Sequence, residues 1–231
     1  GIDQLIKSHR NIYLMKKIVD LTLEITSNMR IFPGYPNPTF LKWSKLETQG
    51  YNSEVMFLGT HTGTHMDAPF HFNANAPAID QIEIKRFICN NALLLKIQKD
   101  SNQMITGDDI LNNSKYEIKE KDTVVFSTGW EKRIKEKGNY YISNNPGLTK
   151  DAAEYLVQKK VNAVAIDGPN IDIGDNREFT AHKILLSNNI LVIENLCNLF
   201  KFNNQRFTLL VTPLKLRGAS GSPIRAIGIE E

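Results

Sequence analysis

His61, His65 and His71 stand with Asp67 inside the eleven residues HTGTHMDAPFH, and they are three of only five histidines in a chain of 231 residues. Neutral imidazole and carboxylate are the ligands that zinc, manganese and iron commonly take from proteins at neutral pH. The density therefore points to a metal, and to polarising a carbonyl or making hydroxide from water. Spacing narrows the geometry. A helix would put His61 and His65 on one face but swing Asp67 and His71 away, and Gly63 and Pro69 both disfavour one. In an extended chain the four positions share parity, but four residues span roughly 13 Å, so the backbone must bend between His61 and His65. Gly63 lies at that midpoint and accepts backbone angles closed to other residues, which predicts a loop wrapped around an ion. His65 and Asp67, two apart, can converge on it directly.

The elements around the cluster follow from hydrophobic periodicity. Alternation of Val19, Leu21, Leu23 and Ile25 predicts a half-buried strand, and 55–58 predicts a strand leading into the metal loop. Apolar runs at 92–97, 124–127, 161–166, 190–193 and 207–211 predict more deeply buried strands. Thr149 is a suitable N-cap for a helix over 150–160, whose Ala152, Ala153, Leu156 and Val157 form an apolar stripe, and a shorter helix is expected over 180–187. The helix-strand-helix-strand order from Thr149 to Glu194 implies an α/β fold. Its core is expected to be a mixed sheet or barrel-like β structure with flanking helices.

The cluster also resembles, at every fixed position, the HxGTHxDxPxHF signature of the cyclase family of metal-dependent hydrolases. That family includes bacterial-type kynurenine formamidases (arylformamidases) and isatin hydrolase-like enzymes. The likeness extends from about Ile18 to the C-terminus through Asp20-Leu21-Thr22, Phe32-Pro33-Gly34, VVFSTGW from Val124, Pro146-Gly147-Leu148, AIDGPNID from Ala165, the His182-x₁₁-Glu194 spacing and PLKLRGASGSPIRAI from Pro213.

The resemblance implies a division of labour. His61, His65 and Asp67 are expected to bind a first metal, with Asp67 bridging to a second that His182 and the other bridging carboxylate, Glu194, complete. Some relatives work with one ion, so one or two are expected, zinc first and manganese second. His71 is expected to act as general acid/base beside a metal-activated hydroxide, a role suited to a group that titrates near neutrality. Its competing role is a fourth ligand. Phe32 falls where relatives carry an aromatic residue that stacks on an aryl substrate. Kynurenine formamidases usually show Trp there and an acidic residue after the glycine, where this chain has Phe32 and Tyr35. Phe32 could equally be a hydrophobic plug beside the turn. Ser220, in Gly218-Ala219-Ser220-Gly221, lacks the strand-Gly-x-Ser-x-Gly-helix setting of a nucleophile and reads as part of a glycine turn.

Composition agrees with one compact domain over 17–231, preceded by an N-terminal arm or extension over 1–16. Hydrophobic residues make up 41% of the chain, and no linker, repeat or charge block divides it. The net charge of +3 is mild, and the lysines of 115–137 alternate with glutamates as on a solvated surface. That argues against a nucleic-acid partner. No apolar run of transmembrane length argues for a membrane. Two cysteines, Cys89 and Cys197, sit among apolar residues without a CxxC pair, which fits free thiols and a cytoplasmic location, although a targeting segment ahead of Gly1 stays open. The family resemblance further implies a homodimer or homotetramer and a small-molecule aryl amide substrate. The leading reading is an arylformamidase-like hydrolase of an aryl formamide or cyclic amide C–N bond, with isatin hydrolase-like chemistry as its neighbour. A non-heme iron oxygenase using His61, His65 and Asp67, and a catalytically silent metal-binding protein, are the alternatives.

Overall fold

A computed structural model describes residues 16–174 and 176–230. The expected arm over 1–16 therefore lies outside the described residues except for Lys16. The strands are β1 (Lys17–Asp20), β2 (Thr39–Ser44), β3 (Ser53–Phe57), β4 (His65–Asp67), β5 (Ile88–Lys96), β6 (Met104–Ile105), β7 (Thr123–Ser127), β8 (Gly147–Leu148), β9 (Ala163–Ile166), β10 (Leu191–Glu194), β11 (Arg206–Pro213) and β12 (Gly221–Glu230). Seven of them close a barrel. The order runs β12-β11-β5-β7-β9-β10-β4, and β4 pairs again with β12, while β1 hangs on the outer edge of β12. Pairing is parallel through β5-β7-β9-β10 and antiparallel elsewhere, so the expected mixed, barrel-like α/β core is what forms.

Side-chain parity sorts the wall into two cores. Met66, Leu94, Val125, Ala163, Ala165, Leu191, Ile193, Leu209 and Ala226 belong to one buried cluster with other inward residues of the barrel. Their neighbours Leu93, Leu95, Val124, Phe126, Val164, Ile166 and Val192 turn outward to a second cluster. That second layer is completed by α1 (Gly107–Asn113), α2 (Lys150–Gln158) and α3 (Thr180–Ser187), which contribute Ile110, Ala152, Ala153, Leu156, Ala181, Leu185 and Leu186. Thr149 caps α2 by accepting the Ala152 N–H at 3.3 Å. Among the described residues no helix is long and apolar enough to cross a membrane.

One expectation is corrected, and two strands are placed differently from anything the pattern signals. The first strand ends at Asp20 rather than Ile25, because the chain turns inward and Leu23 N–H donates to Thr64 Oγ1 at 2.8 Å instead of joining a ladder. The strand expected ahead of the metal loop is present over Ser53–Phe57, and it lies outside the barrel. It pairs only with β2, in a hairpin that stands off the domain with both faces exposed. The other is β12, where the apolar pattern predicts no strand: its buried positions Ile224, Ala226, Gly228 and Glu230 alternate, but its Gly-Ser-Pro start obscures the period.

Candidate metal centre

Strand parity and register assemble the centre. Met66 points into the barrel, so His65 and Asp67 on either side of it face outward toward α3. On β10, Ile193 points inward, so Glu194 also faces outward, and the β10–β4 register sets Glu194 directly opposite His65. His182 arrives from the first turn of α3, where it is 4% exposed. His61 enters from the loop before β4. Gly63 takes φ +63°, the bend that the His61–His65 spacing requires.

Each histidine has one ring nitrogen held from outside and the other aimed at the carboxylates. His65 Nδ1–H donates to the Gly63 carbonyl at 2.8 Å. His182 Nδ1–H donates to Asp172 Oδ2 at 2.7 Å. His61 Nε2 lies 2.8 Å from Ser220 Oγ, leaving Nδ1 at 2.6 Å from Asp67 Oδ1. His65 Nε2 is 3.3 Å from Asp67 Oδ1 and 3.3 Å from Glu194 Oε2. His182 Nε2 is 3.3 Å from Asp67 Oδ2 and 3.1 Å from Glu194 Oε1. Outer partners of this kind fix the tautomer that leaves a bare nitrogen for a cation.

Two donor sets result, His61-His65-Asp67 and Asp67-His182-Glu194, each with its donor atoms within 4.8 Å of one another. Donors around a tetrahedral ion bound at about 2.1 Å stand roughly 3.4 Å apart, close to the separations seen here. Asp67 Oδ2 is buried without a hydrogen bond, since His182 Nε2 is near but out of alignment. A buried carboxylate oxygen left without a hydrogen bond is costly unless a cation completes it. The residues fit a divalent metal.

Electrostatics agree. Burial alone would raise Asp67, but the three histidines outweigh it and hold the carboxyl well below its usual range. Burial would likewise lower His65 and His182; Asp67 and Glu194 instead raise His65 to about 10, and the same carboxylates with Asp172 raise His182. Protons and a cation therefore compete for the same lone pairs.

His71 is placed differently. The parity argument fails for it, because Pro69–His71 is a 3₁₀ turn that leaves the strand direction. Its ring stacks on His61 at 4.0 Å between centroids and belongs to neither donor set. Burial pushes it down to about 4, against the opposing pull of Asp67, so it is held as neutral imidazole.

A cavity of about 320 Å³ opens onto these groups, lined by Arg30, Phe32, Tyr35, His71, Phe72 and Phe179 among others. Phe32 is both plug and wall. It packs on the buried Trp130-Tyr141-Ile142 cluster and faces Phe179 at 6.3 Å. Sequence reasoning missed Phe72 and Phe179, whose rings lie 5.4 Å apart with Phe72 5.2 Å from His182. A half-buried Phe carries no signal in sequence that it lines a site. Asp172 was within reach, since it ends the AIDGPNID block, but nothing in that block names its partner ten residues on. Ser220 does sit in a glycine turn, with Gly218 at φ +68°, yet its hydroxyl touches the centre through His61.

The sequence model of one protein family, described as "Putative cyclase", matches residues 19–173, two thirds of the chain. This chain belongs to that family. Among curated relatives it is 28% identical over 210 residues to a kynurenine formamidase of Bacillus thuringiensis subsp. konkukian, covering 90% of this chain and 95% of that protein. It is 30% identical over 192 residues to an isatin hydrolase of Roseibium aggregatum, covering 75% and 73%. Among solved structures, an isatin hydrolase bound to the product analogue thioisatinate superposes with a TM-score of 0.87 at 26% identity, over 98% of both chains. Members of the family thus share this barrel. The family match covers His61 to His71 and Asp172, while His182 and Glu194 lie beyond it.

Proposed function

We propose that this cyclase-family protein is a metal-dependent hydrolase that cleaves the C–N bond of an aryl formamide, with one catalytic domain over 17–231. The observation that carries the reading is Asp67, which offers one oxygen to each of two histidine-bearing donor sets beneath a cavity walled by phenylalanines. His61, His65 and Asp67 hold the first ion in this reading, and His182 and Glu194 share Asp67 for the second. The nitrogen-rich, thiolate-free donor set suits zinc, with manganese as the second choice. When bound, such ions supply Lewis acidity toward the carbonyl and water acidified to near neutral pH.

The chain's own residues supply the rest. Phe32, Phe72 and Phe179 hold the aryl ring and keep bulk water from the reacting carbon. His71, neutral and facing the cavity, accepts a proton from the attacking water and returns it to the departing aryl nitrogen. The product is an arylamine and formate. Similarity to the isatin hydrolase structure favours a second reading on the same machinery, opening of a cyclic aryl amide, in which the protonated nitrogen stays tethered to the product.

The β2–β3 hairpin supports a homodimer or homotetramer. Phe40, Leu41, Trp43, Val55, Met56 and Phe57 are exposed on its two faces, Trp43 to 74%, a density of exposed apolar side chains unusual for a monomer. The free Cys89 and Cys197 fit the reducing cytoplasm.

The test is to purify the protein, determine its metals, and assay N-formylkynurenine and isatin before and after chelation. Hydrolysis of the formamide that disappears with the metal and returns with zinc or manganese is expected. Turnover of neither compound by the metal-loaded protein, or iron with oxygen-dependent turnover, would overturn the reading.

A further inference from the structure

The cavity contains one side chain that hydrolysis of a plain aryl formamide leaves without a task. Of the lysines and arginines among the described residues, Arg30 alone lines the cavity, and the carboxylates of the lining, Asp67 and Glu194, already face the three histidines. Arg30 is half-buried. Its Nη2–H donates to the Glu136 carbonyl at 2.8 Å, which anchors the guanidinium with one of its five N–H groups. Among the described residues no carboxylate pairs with it. Arg30 shares the cavity lining with Phe32 and Phe179, and a planar guanidinium is matched to a carboxylate by two parallel hydrogen bonds.

We infer that Arg30 is a specificity-determining residue of this site, its guanidinium receiving a carboxylate carried on the side chain of the substrate. The inference rests on the hydrolase reading above and sharpens it. A neutral aryl formamide or a neutral bicyclic lactam would fill the aromatic walls and leave Arg30 facing no partner. N-formylkynurenine, an aryl formamide whose ortho side chain ends in an α-amino acid, satisfies both walls and arginine.

The experiment compares N-formylkynurenine with N-formylkynuramine, which keeps the formamide, ketone and amine but lacks the carboxylate. The metal-loaded wild type and Arg30→Ala are assayed on both, with Arg30→Lys alongside. In the wild type the KM for N-formylkynuramine exceeds that for N-formylkynurenine by roughly 10- to 100-fold, the scale of a charge-assisted hydrogen-bonded pair. In Arg30→Ala that ratio falls toward one, the change residing in KM rather than kcat. Arg30→Lys recovers part of it. Loss of the tether to Glu136 alone would move both substrates together and leave the ratio intact, which would overturn the inference, as would a wild-type ratio near one. If the wild type hydrolyses neither compound, the hydrolase reading fails by itself, and calorimetric binding of kynurenine and kynuramine decides on Arg30. A preference for kynurenine that Arg30→Ala abolishes upholds the carboxylate site, and equal affinities overturn it.

Discussion

Asp172 holds His182 at two points and its neighbour at a third: Oδ2 accepts from the ring Nδ1–H at 2.7 Å and from the backbone N–H of His182 at 3.1 Å, while Oδ1 accepts from the Ala181 N–H at 2.7 Å. One fully buried carboxylate thus caps the start of α3 and fixes the ring whose other nitrogen faces Asp67 and Glu194. In Asp172→Asn the cap survives in part but the imidazole loses its charged partner. Metal affinity is expected to fall about 10- to 100-fold, read by competition with a chromogenic chelator. Unchanged affinity would separate His182 from metal binding.

His71→Ala should keep its metal. Removing a general acid/base costs about 10²- to 10⁴-fold in kcat, and elemental analysis of the same sample should return the wild-type metal content. Loss of an ion in this variant would instead make His71 a ligand.

Gly221 sits opposite Asp67 in the β12–β4 pair, where a Cβ would stand 2.7 Å from both His61 Cε1 and the Met66 carbonyl oxygen. Gly221→Ala must push either the barrel seam or the His61 ring aside. A stability loss of about 1–3 kcal/mol is expected from such overpacking, measured by urea denaturation, together with reduced metal content. A variant as stable as the wild type would mean that His61 swings away freely.

Glu131 gives a pH signature remote from the centre. Burial and the nearby Asp167 raise its carboxyl to about 7, against an accepting contact with the Asn198 N–H at 2.6 Å. Its folded-state pKa lies above the unfolded value, so its contribution to stability is complete below about pH 4.5 and is lost as pH rises through 7. Glu131→Gln removes that loss. Because the group is partly solvated, the variant's advantage over wild type should grow by only on the order of 1 kcal/mol between pH 5 and pH 8, visible in melting temperatures at the two values. An advantage independent of pH would place the Glu131 pKa near its ordinary value.

The sequence disclosed the centre more readily than its surroundings. The bend at Gly63 and the convergence of His65 with Asp67 follow from chain reach and parity, and the structure has both. Most barrel strands were legible because residues such as Leu94 and Val125 are buried among neighbours that are buried too, giving continuous apolar runs. The strand over 53–57 was legible as a strand but not as a hairpin: Val55, Met56 and Phe57 are apolar yet exposed, so their pattern does not distinguish a barrel wall from a projecting ribbon. His182 and Glu194 were joined only by family resemblance. Their meeting depends on α3 lying across the outer face of β10, a tertiary fact that no local pattern encodes.

The double pairing of β4 carries a consequence for how the protein comes into being. This three-residue strand, at positions 65–67, has both of its ladder partners far downstream, β10 at 191–194 and β12 at 221–230. Contacts separated by well over a hundred residues form late and slowly, because the intervening loop must be closed before any reward arrives. The two ladders of β4 therefore cannot both close before residues 221–223 have been synthesised, and a cation held by His65 and Asp67 would act as the rivet of that closure.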